Sequence, residues 1–253
     1  MRLRHLGYVG QNLTLGITTN RTLRLANLQT DRLEVAIAAN LEALGAILEW
    51  NVSHGIRLFR IGSSVIPFAS HEAFGLDWRE RFAPQLSRLR EYVREQGVHL
   101  SMHPGQYTVL NSPSPQVVAN ARAELRYSAQ FLEELSPGAG TIILHLGGVY
   151  GDRPAALDRF TEQAAELEDV VLGKLCLEND DTSFDVGDAL TAAARLGVPV
   201  VFDFHHHRVL NRTRWSSRPE PELLEQVVAS WGGRTPKFHL SSSREPGSAA
   251  HSD

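Results

Sequence analysis

The chain contains one cysteine, two methionines and, among 25 basic residues, only two lysines, Lys174 and Lys237. A single thiol, Cys176, excludes a disulfide framework and a thiolate zinc site, since each needs several cysteines. An N-terminal apolar segment of the signal type is missing, as is any uninterrupted run of about 18 apolar residues. The expectation is a soluble, cytoplasmic protein that engages no membrane. Excess positive charge is missing too. A net charge of -4 and a pI near 6.3 exclude a uniformly basic nucleic-acid binder, so any contact with phosphates must come from local clusters of arginine.

What the chain does have is length, apolar content and a change of period. With 253 residues and 42% hydrophobic content it can bury one large core. A single α/β barrel takes roughly 250 residues. Seven short apolar runs read as buried strands: Leu6–Gly10, Ile56–Ile61, Val98–His103, Thr141–His145, Lys174–Glu178, Pro199–Asp203 and Pro236–His239. Between them the spacing becomes helical. Leu33, Ile37, Leu41, Leu44 and Leu48 form one stripe; Phe82, Leu86, Leu89 and Val93 form another that stops at Gly97; Val118, Leu125, Leu132 and Leu135 form a third. Asp185 reads as the N-cap of a helix running to Gly197, and Glu220 to Trp231 as a further short helix. The fold expected is one α/β domain over 1–253, a TIM-type (β/α)8 barrel without its eighth strand. The tail Ser241-Ser-Ser-Arg-Glu-Pro-Gly-Ser248 reads as a loop leading onward, so a truncated chain is the favoured account of the missing strand.

Nearly every run ends in a residue that binds metal. His103, His145, Glu178, Asp203 and His239 each close a strand, and His205, His206 and His207 follow Asp203. A parallel barrel gathers these ends at one face. Mixed imidazole and carboxylate donors suit Mn, Zn or Fe, and their number exceeds what one tetrahedral ion uses, which implies two or three ions. Among the three consecutive histidines, His206 is the best ligand because it lies three residues after Asp203. His5, His54 and His99 read as surface or capping residues. In a chain that otherwise uses arginine, Lys237 stands two residues before His239, on the same strand face. Only an amine can be neutralised there by a lowered pKa or by carboxylation to a metal-bridging carbamate. A lysine paired with a carboxylate at the barrel bottom is the plainer alternative.

Two loops add the chemistry of a polymer substrate. Pro104-Gly105 turns the chain directly after a strand and lifts Gln106 and Tyr107 outward, an amide and a ring suited to entering a base stack. Arg208, Arg212, Arg214 and Arg218 lie beside Trp215 in what reads as a loop after strand six, a phosphate-contacting composition.

Taken together, Gly7-Tyr8, Arg60-Ile-Gly-Ser-Ser64, His103-Pro-Gly-Gln-Tyr107, Leu177-Glu-Asn-Asp180, Phe202-Asp-Phe-His-His206 and Lys237-Phe-His-Leu-Ser-Ser242 resemble the UV damage endonuclease family. The resemblance implies a manganese-dependent DNA repair enzyme, with Zn, Mg or Co as other candidate metals. It would nick damaged double-stranded DNA just 5′ of pyrimidine dimers, 6-4 photoproducts and some abasic sites. It further implies His71, His103, His145, Glu178, Asp203, His206, His239 and His251 as metal ligands, and Lys237 as a carboxylated bridging residue. Glu178, His239 and Lys237 would be the catalytic core. Gln106 and Tyr107 would probe the lesion, while Tyr8 and Asn12 would support the site and contact DNA. The family carries one more glutamate ligand on its eighth strand, beyond the end of this chain. Endonuclease IV shares the barrel and a His-Pro-Gly segment and stands as the nearest alternative. A metal-dependent sugar isomerase is the alternative from another reaction class, although an isomerase would want an enclosed pocket. A monomer without nucleotide cofactor is expected.

Overall fold

A computed structural model of the chain describes residues 3–211 and 220–245. Seven strands follow one another in sheet order exactly as in the chain: β1 (Gly7–Val9), β2 (Leu58–Ile61), β3 (His99–Met102), β4 (Thr141–His145), β5 (Leu175–Glu178), β6 (Val200–Asp203) and β7 (Phe238–His239). The helices between them are α1 (Thr30–Ser53), α2 (Trp78–Arg81), α3 (Ala83–Gln96), α4 (Pro115–Leu135), α5 (Arg153–Ala165), α6 (Asp169–Leu172), α7 (Val186–Leu196), α8 (Phe204–Leu210) and α9 (Pro221–Ser230). This is the TIM-type barrel order with seven strands. The chain divides into two compact units, one of the residues up to Gly105 with Ala123–Ile142, the other of Gln106–Arg122 with the residues from Ile143 onward.

In the first unit, β1, β2, β3 and the start of β4 pair in parallel, with Gly7 opposite Leu58, Leu58 opposite His99, and Ser101 opposite Thr141. Gly7 is required by this pairing, because a Cβ there would lie 2.0 Å from the Leu58 carbonyl oxygen. Helix α1 is long and apolar enough to cross a bilayer by those criteria alone. Its stripe of Leu33, Ile37, Leu41, Leu44 and Leu48 is instead buried inside the unit, and this burial is what stabilises the helix. Asn40, fully buried on the same helix, accepts from the Arg21 backbone N–H (2.9 Å) and donates to the carbonyls of Arg21 (2.9 Å) and Val65 (3.0 Å). One side chain thus ties the loop after β1 to the turn after β2. Helix α3 ends as its sequence indicates, at Gly97 with φ 62°.

In the second unit β5, β6 and β7 pair in parallel, with Leu177 opposite Val200 and Asp203 opposite His239. Asp185 caps α7 in a complete capping box with Asp188, and Gly197 closes that helix at φ 67°. Trp231 donates its indole N–H to the Val200 carbonyl (2.7 Å) and packs with Ile143, Cys176 and Val201.

Two expectations need correction. The first residues after β6 are helical rather than a loop: Asp203 accepts the backbone N–H of His206 (2.8 Å) and so nucleates α8 through Leu210. Sequence period could not reveal a single two-turn helix whose N-cap is also the last residue of a strand. The ladder of β7 holds only Phe238 and His239, so Lys237 precedes the strand rather than lying within it.

The two kinds of polar anchor differ in cost. Urea denaturation of Asp185→Ala is expected to show a loss of about 1 kcal/mol, the worth of an N-cap. Asn40→Ala, which leaves the buried Val65 carbonyl and two backbone groups of Arg21 without their partner, is expected to lose about 1–3 kcal/mol.

Candidate metal centre

The second unit alone brings together four strand ends. His145 closes β4, Glu178 closes β5, Asp203 closes β6 and His239 closes β7. Two residues earlier on three of these strands stand Ile143, Cys176 and Val201, which form a buried cluster with Trp231. Period-2 alternation therefore stacks a polar layer upon an apolar floor, and the floor keeps bulk water from below.

Glu178 is 1% exposed, and its two oxygens face different imidazoles: Oε1 lies 2.5 Å from His239 Nδ1, and Oε2 lies 3.4 Å from His145 Nε2. Asp203, 3% exposed, turns Oδ1 to the His206 backbone N–H and holds Oδ2 3.9 Å from His239 Nδ1 and 3.9 Å from His206 Nδ1. The ligand atoms of Glu178, Asp203 and His239 all lie within 4.8 Å of one another. Two carboxylates so removed from water are stable only when their charge is compensated, and a divalent cation among oxygen and imidazole donors does this directly. The donor set fits such an ion.

The surroundings orient the donors. His206 Nδ1 donates to the Asn179 carbonyl (2.9 Å), which leaves the Nε2 lone pair available; this is the usual arrangement of a metal-binding histidine. The His145 and His206 rings are 5.2 Å apart. Asn179 itself is fully buried, donating through Nδ2 to the Asp203 carbonyl (3.0 Å) and accepting the Asp203 N–H at Oδ1 (2.9 Å). It joins the ends of β5 and β6 and so sets Glu178 and Asp203 in mutual register. The next residue, Asp180, accepts the backbone N–H groups of Thr182 (2.8 Å) and Phe184 (3.0 Å) and shapes its own loop. In Glu178-Asn-Asp180 the sequence signal for this task is a polar residue directly after a strand-end ligand, and spacing alone does not assign it to Asn179.

Among the three histidines, His206 is the one turned toward the carboxylates. His205 is fully buried with Nδ1 3.1 Å from the Arg208 guanidinium, and His207 lies 5.0 Å from the Phe202 ring, its pKa lowered by burial. Arg208 also donates to Ser243 Oγ (2.5 Å), so the first arginine of the basic segment is engaged within the protein. Arg212, Arg214, Arg218, Trp215 and His251 lie outside the described residues. Burial pushes the Lys237 amine down to about 8, and the Cys176 thiol beside it up to about 12.

The first unit carries the other residues singled out. His103 follows β3 with Nδ1 3.1 Å from the Pro104 carbonyl, an acceptor that leaves Nε2 as its ligand atom. His71 accepts the Ala73 backbone N–H at Nδ1 (3.0 Å), which in a neutral ring puts the proton on Nε2; ligation through Nε2 requires this contact to change. Tyr8 donates to Asn51 Oδ1 (2.6 Å) and accepts from Asn12 Nδ2 (2.8 Å), while Asn12 Oδ1 accepts the Leu15 N–H (2.9 Å). Burial raises the Tyr8 phenol pKa. Asn12, 4% exposed, thus holds the loop from within. Gln106 and Tyr107, in the second unit, occupy an exposed turn, and Tyr107 is 82% exposed.

Because the Asn179 side chain bonds only the backbone of Asp203 and yet fixes two of the strand ends, its removal separates positioning from ligation. Calorimetric titration with Mn²⁺ is expected to show affinity about 10–100-fold weaker for Asn179→Ala. Asn211→Ala, an exposed change just after α8, is expected to bind as the unaltered chain does.

Comparison with known proteins places this geometry. The family described as UV-endonuclease UvdE matches residues 2–253. The UV DNA damage endonuclease of Clostridium perfringens (strain 13 / Type A) is 34% identical over 227 residues, covering 89% of this chain and 54% of that protein, so the chain spans about half the length of this relative. A crystal structure described as SacUVDE superposes with a TM-score of 0.89 at 36% identity, over 96% of this chain and 82% of that one. A D-psicose 3-epimerase from Clostridium cellulolyticum H10 matches with a TM-score of 0.52 at 17% identity, over 78% of this chain and 67% of that one; this is a likeness of fold alone. A family match over residues 2–253, together with the sequence and backbone matches to these relatives, leaves one assignment: the chain belongs to the UV-endonuclease UvdE family.

Proposed function

We propose that this chain is a metal-dependent endonuclease of damaged duplex DNA, cutting the phosphodiester immediately 5′ of pyrimidine dimers and 6-4 photoproducts, with abasic sites as a further substrate. The observation that carries the reading is the buried Glu178 carboxylate set between His239 and His145, with Asp203 beside it. Two or three divalent ions, manganese foremost, would supply an electrostatic clamp on the phosphate and lower the pKa of water enough for hydroxide to attack near neutral pH.

The chain's own residues do the rest. Glu178 and Asp203 hold negative charge at a fixed separation, because Asn179 ties their strands together. His145, His206 and His239 present nitrogen donors, and the Asn179 carbonyl fixes the His206 tautomer. The apolar floor of Ile143, Cys176 and Val201 excludes water from beneath, which strengthens every electrostatic contact above it. Lys237, two residues before His239, is proposed to take up CO₂ as its neutral amine: an N–C bond forms, a proton leaves to solvent, and the carbamate becomes a further ligand. The family resemblance adds His71, His103 and His251 to the ligand set. Tyr8 and Asn12 are proposed to support the loop after β1 and meet the DNA, and Arg212 and Arg214 to face phosphates, while Arg208 is held by His205 and Ser243.

Lesion recognition would use deformability. A dimer already stacks and pairs poorly, so extruding it costs less than the few kcal/mol per step of intact DNA. The exposed Gln106 and Tyr107 would fill the space left behind. A soluble cytoplasmic monomer without nucleotide cofactor is the arrangement proposed.

The test is a nicking assay on an end-labelled duplex carrying one thymine dimer. Mn²⁺-dependent cleavage just 5′ of the lesion, leaving a 3′-hydroxyl and abolished by EDTA, is the expected result; cleavage of abasic duplex alone would favour an activity of the endonuclease IV type. Tyr107→Ala is expected to retain Mn²⁺ and lose selectivity for the dimer, while Glu178→Ala loses Mn²⁺. Equal metal loss in the two variants would refute this division of roles.

A further inference from the structure

The loop between β4 and α5 holds an aromatic ring that the proposed reaction does not use. Phe68 and Tyr150 are the described non-glycine residues with positive φ, and Tyr150 has φ 51°. That region disfavours any residue with a Cβ, and two glycines close by, Gly147 and Gly151, occupy similar space at φ 93° and 82°. Burial does not offset the strain at Tyr150, which is 48% exposed.

The ring is nevertheless held. It lies across Gly148, where a Cβ would meet ring atoms Cε2 and Cζ at 3.1 and 3.2 Å. The Arg159 guanidinium sits 5.7 Å from its centroid and donates through Nε to the Asn111 carbonyl (3.2 Å). Asn111, fully buried, donates through Nδ2 to the Gly148 carbonyl (2.8 Å). Asn111 ends the segment that begins with Gln106 and Tyr107, and Gly147 lies two residues beyond His145. A Cβ on Gly147 would lie 2.4 Å from Asn111 Oδ1 and 2.7 Å from Val109 Cγ1, so the two segments touch without space to spare. Tyr107 and Tyr150 therefore stand on two loops locked together beside a strand-end ligand, both with rings open to solvent.

We propose that Tyr150 is a second aromatic contact for the substrate, the exposed part of its side chain stacking on a nucleobase of the damaged duplex while Arg159 holds the ring in place and adds positive charge. This inference rests on the endonuclease reading. A strained backbone beneath an exposed ring is the pattern of a residue kept for a ligand rather than for the fold.

Tyr150→Gly separates the two roles, because it removes the ring and the backbone strain together. By fluorescence anisotropy with a dye-labelled duplex bearing one thymine dimer, under chelated conditions that prevent cutting, affinity is expected to fall about 5- to 150-fold, the range for loss of one stacked base. Tyr150→Phe is expected to bind within about twofold of the unaltered chain, since the ring face is retained. The melting temperature of Tyr150→Gly is expected to equal or exceed that of the unaltered chain. A Tyr150→Gly chain that binds as the unaltered chain does, or that melts earlier while Tyr150→Phe binds as weakly as it does, overturns the inference. An unaltered chain that neither binds nor nicks the dimer-bearing duplex overturns the endonuclease reading itself, a result distinct from a loss confined to the variants.

Discussion

A carboxylate withdrawn almost wholly from water, Glu178, is the constraint around which the second unit is organised. Its charge is tolerable only among groups that compensate it, and His239 and His145 occupy the two directions its oxygens offer. Asp203 adds a second negative charge within 4.8 Å, which makes a cation the natural occupant of the space. The apolar floor beneath has the same origin in the alternation of side chains along β4, β5 and β6. What faces inward one step further from this polar layer must pack, and Ile143, Cys176 and Val201 do so.

In both units a recurring device holds loops in place. Asn40 ties the loop after β1 to the turn after β2, Asn179 ties the ends of β5 and β6, and Asn111 ties the Tyr107 segment to the loop after β4. In each case a buried amide satisfies backbone of another segment, which holds the two in register. A candidate metal centre assembled from separate strand ends would need this, since a misplacement of about 1 Å is costly to catalysis. Flexible hydroxyls would provide less: an amide donates and accepts in one plane and fixes two partners at once.

Much of this was legible in the amino-acid order. Apolar runs bounded by Gly, Pro and charged residues located all seven strands, because parallel strands are short and continuous in hydrophobicity; the strands at the two ends of the order, β1 and β7, are partly exposed rather than buried. The stripes on α1, α3 and α4 followed from a period of 3.6, and Gly97, Asp185 and Gly197 marked helix ends through backbone and capping preferences that act locally. Helix α8 escaped notice because its N-cap, Asp203, belongs to a strand and its sequence carries no apolar stripe. Strand β7 ended up shorter than its apolar run, since a ladder requires a partner and not merely a propensity.

The distribution of His, Glu and Asp at strand ends was determined by sequence alone, and with it the kind of chemistry this chain can perform, because side-chain identity sets donor type and alternation sets the face. Which of His205, His206 and His207 faces the carboxylates was decided by α8, whose turn points His206 to the Asn179 carbonyl and sends His205 to Arg208. The part played by Asn179, the tie between Asn111 and Gly148, and the exposure of Tyr150 also belong to tertiary structure. They join residues 24 or more positions apart, or, for Tyr150, depend on one backbone angle, and no local preference encodes either.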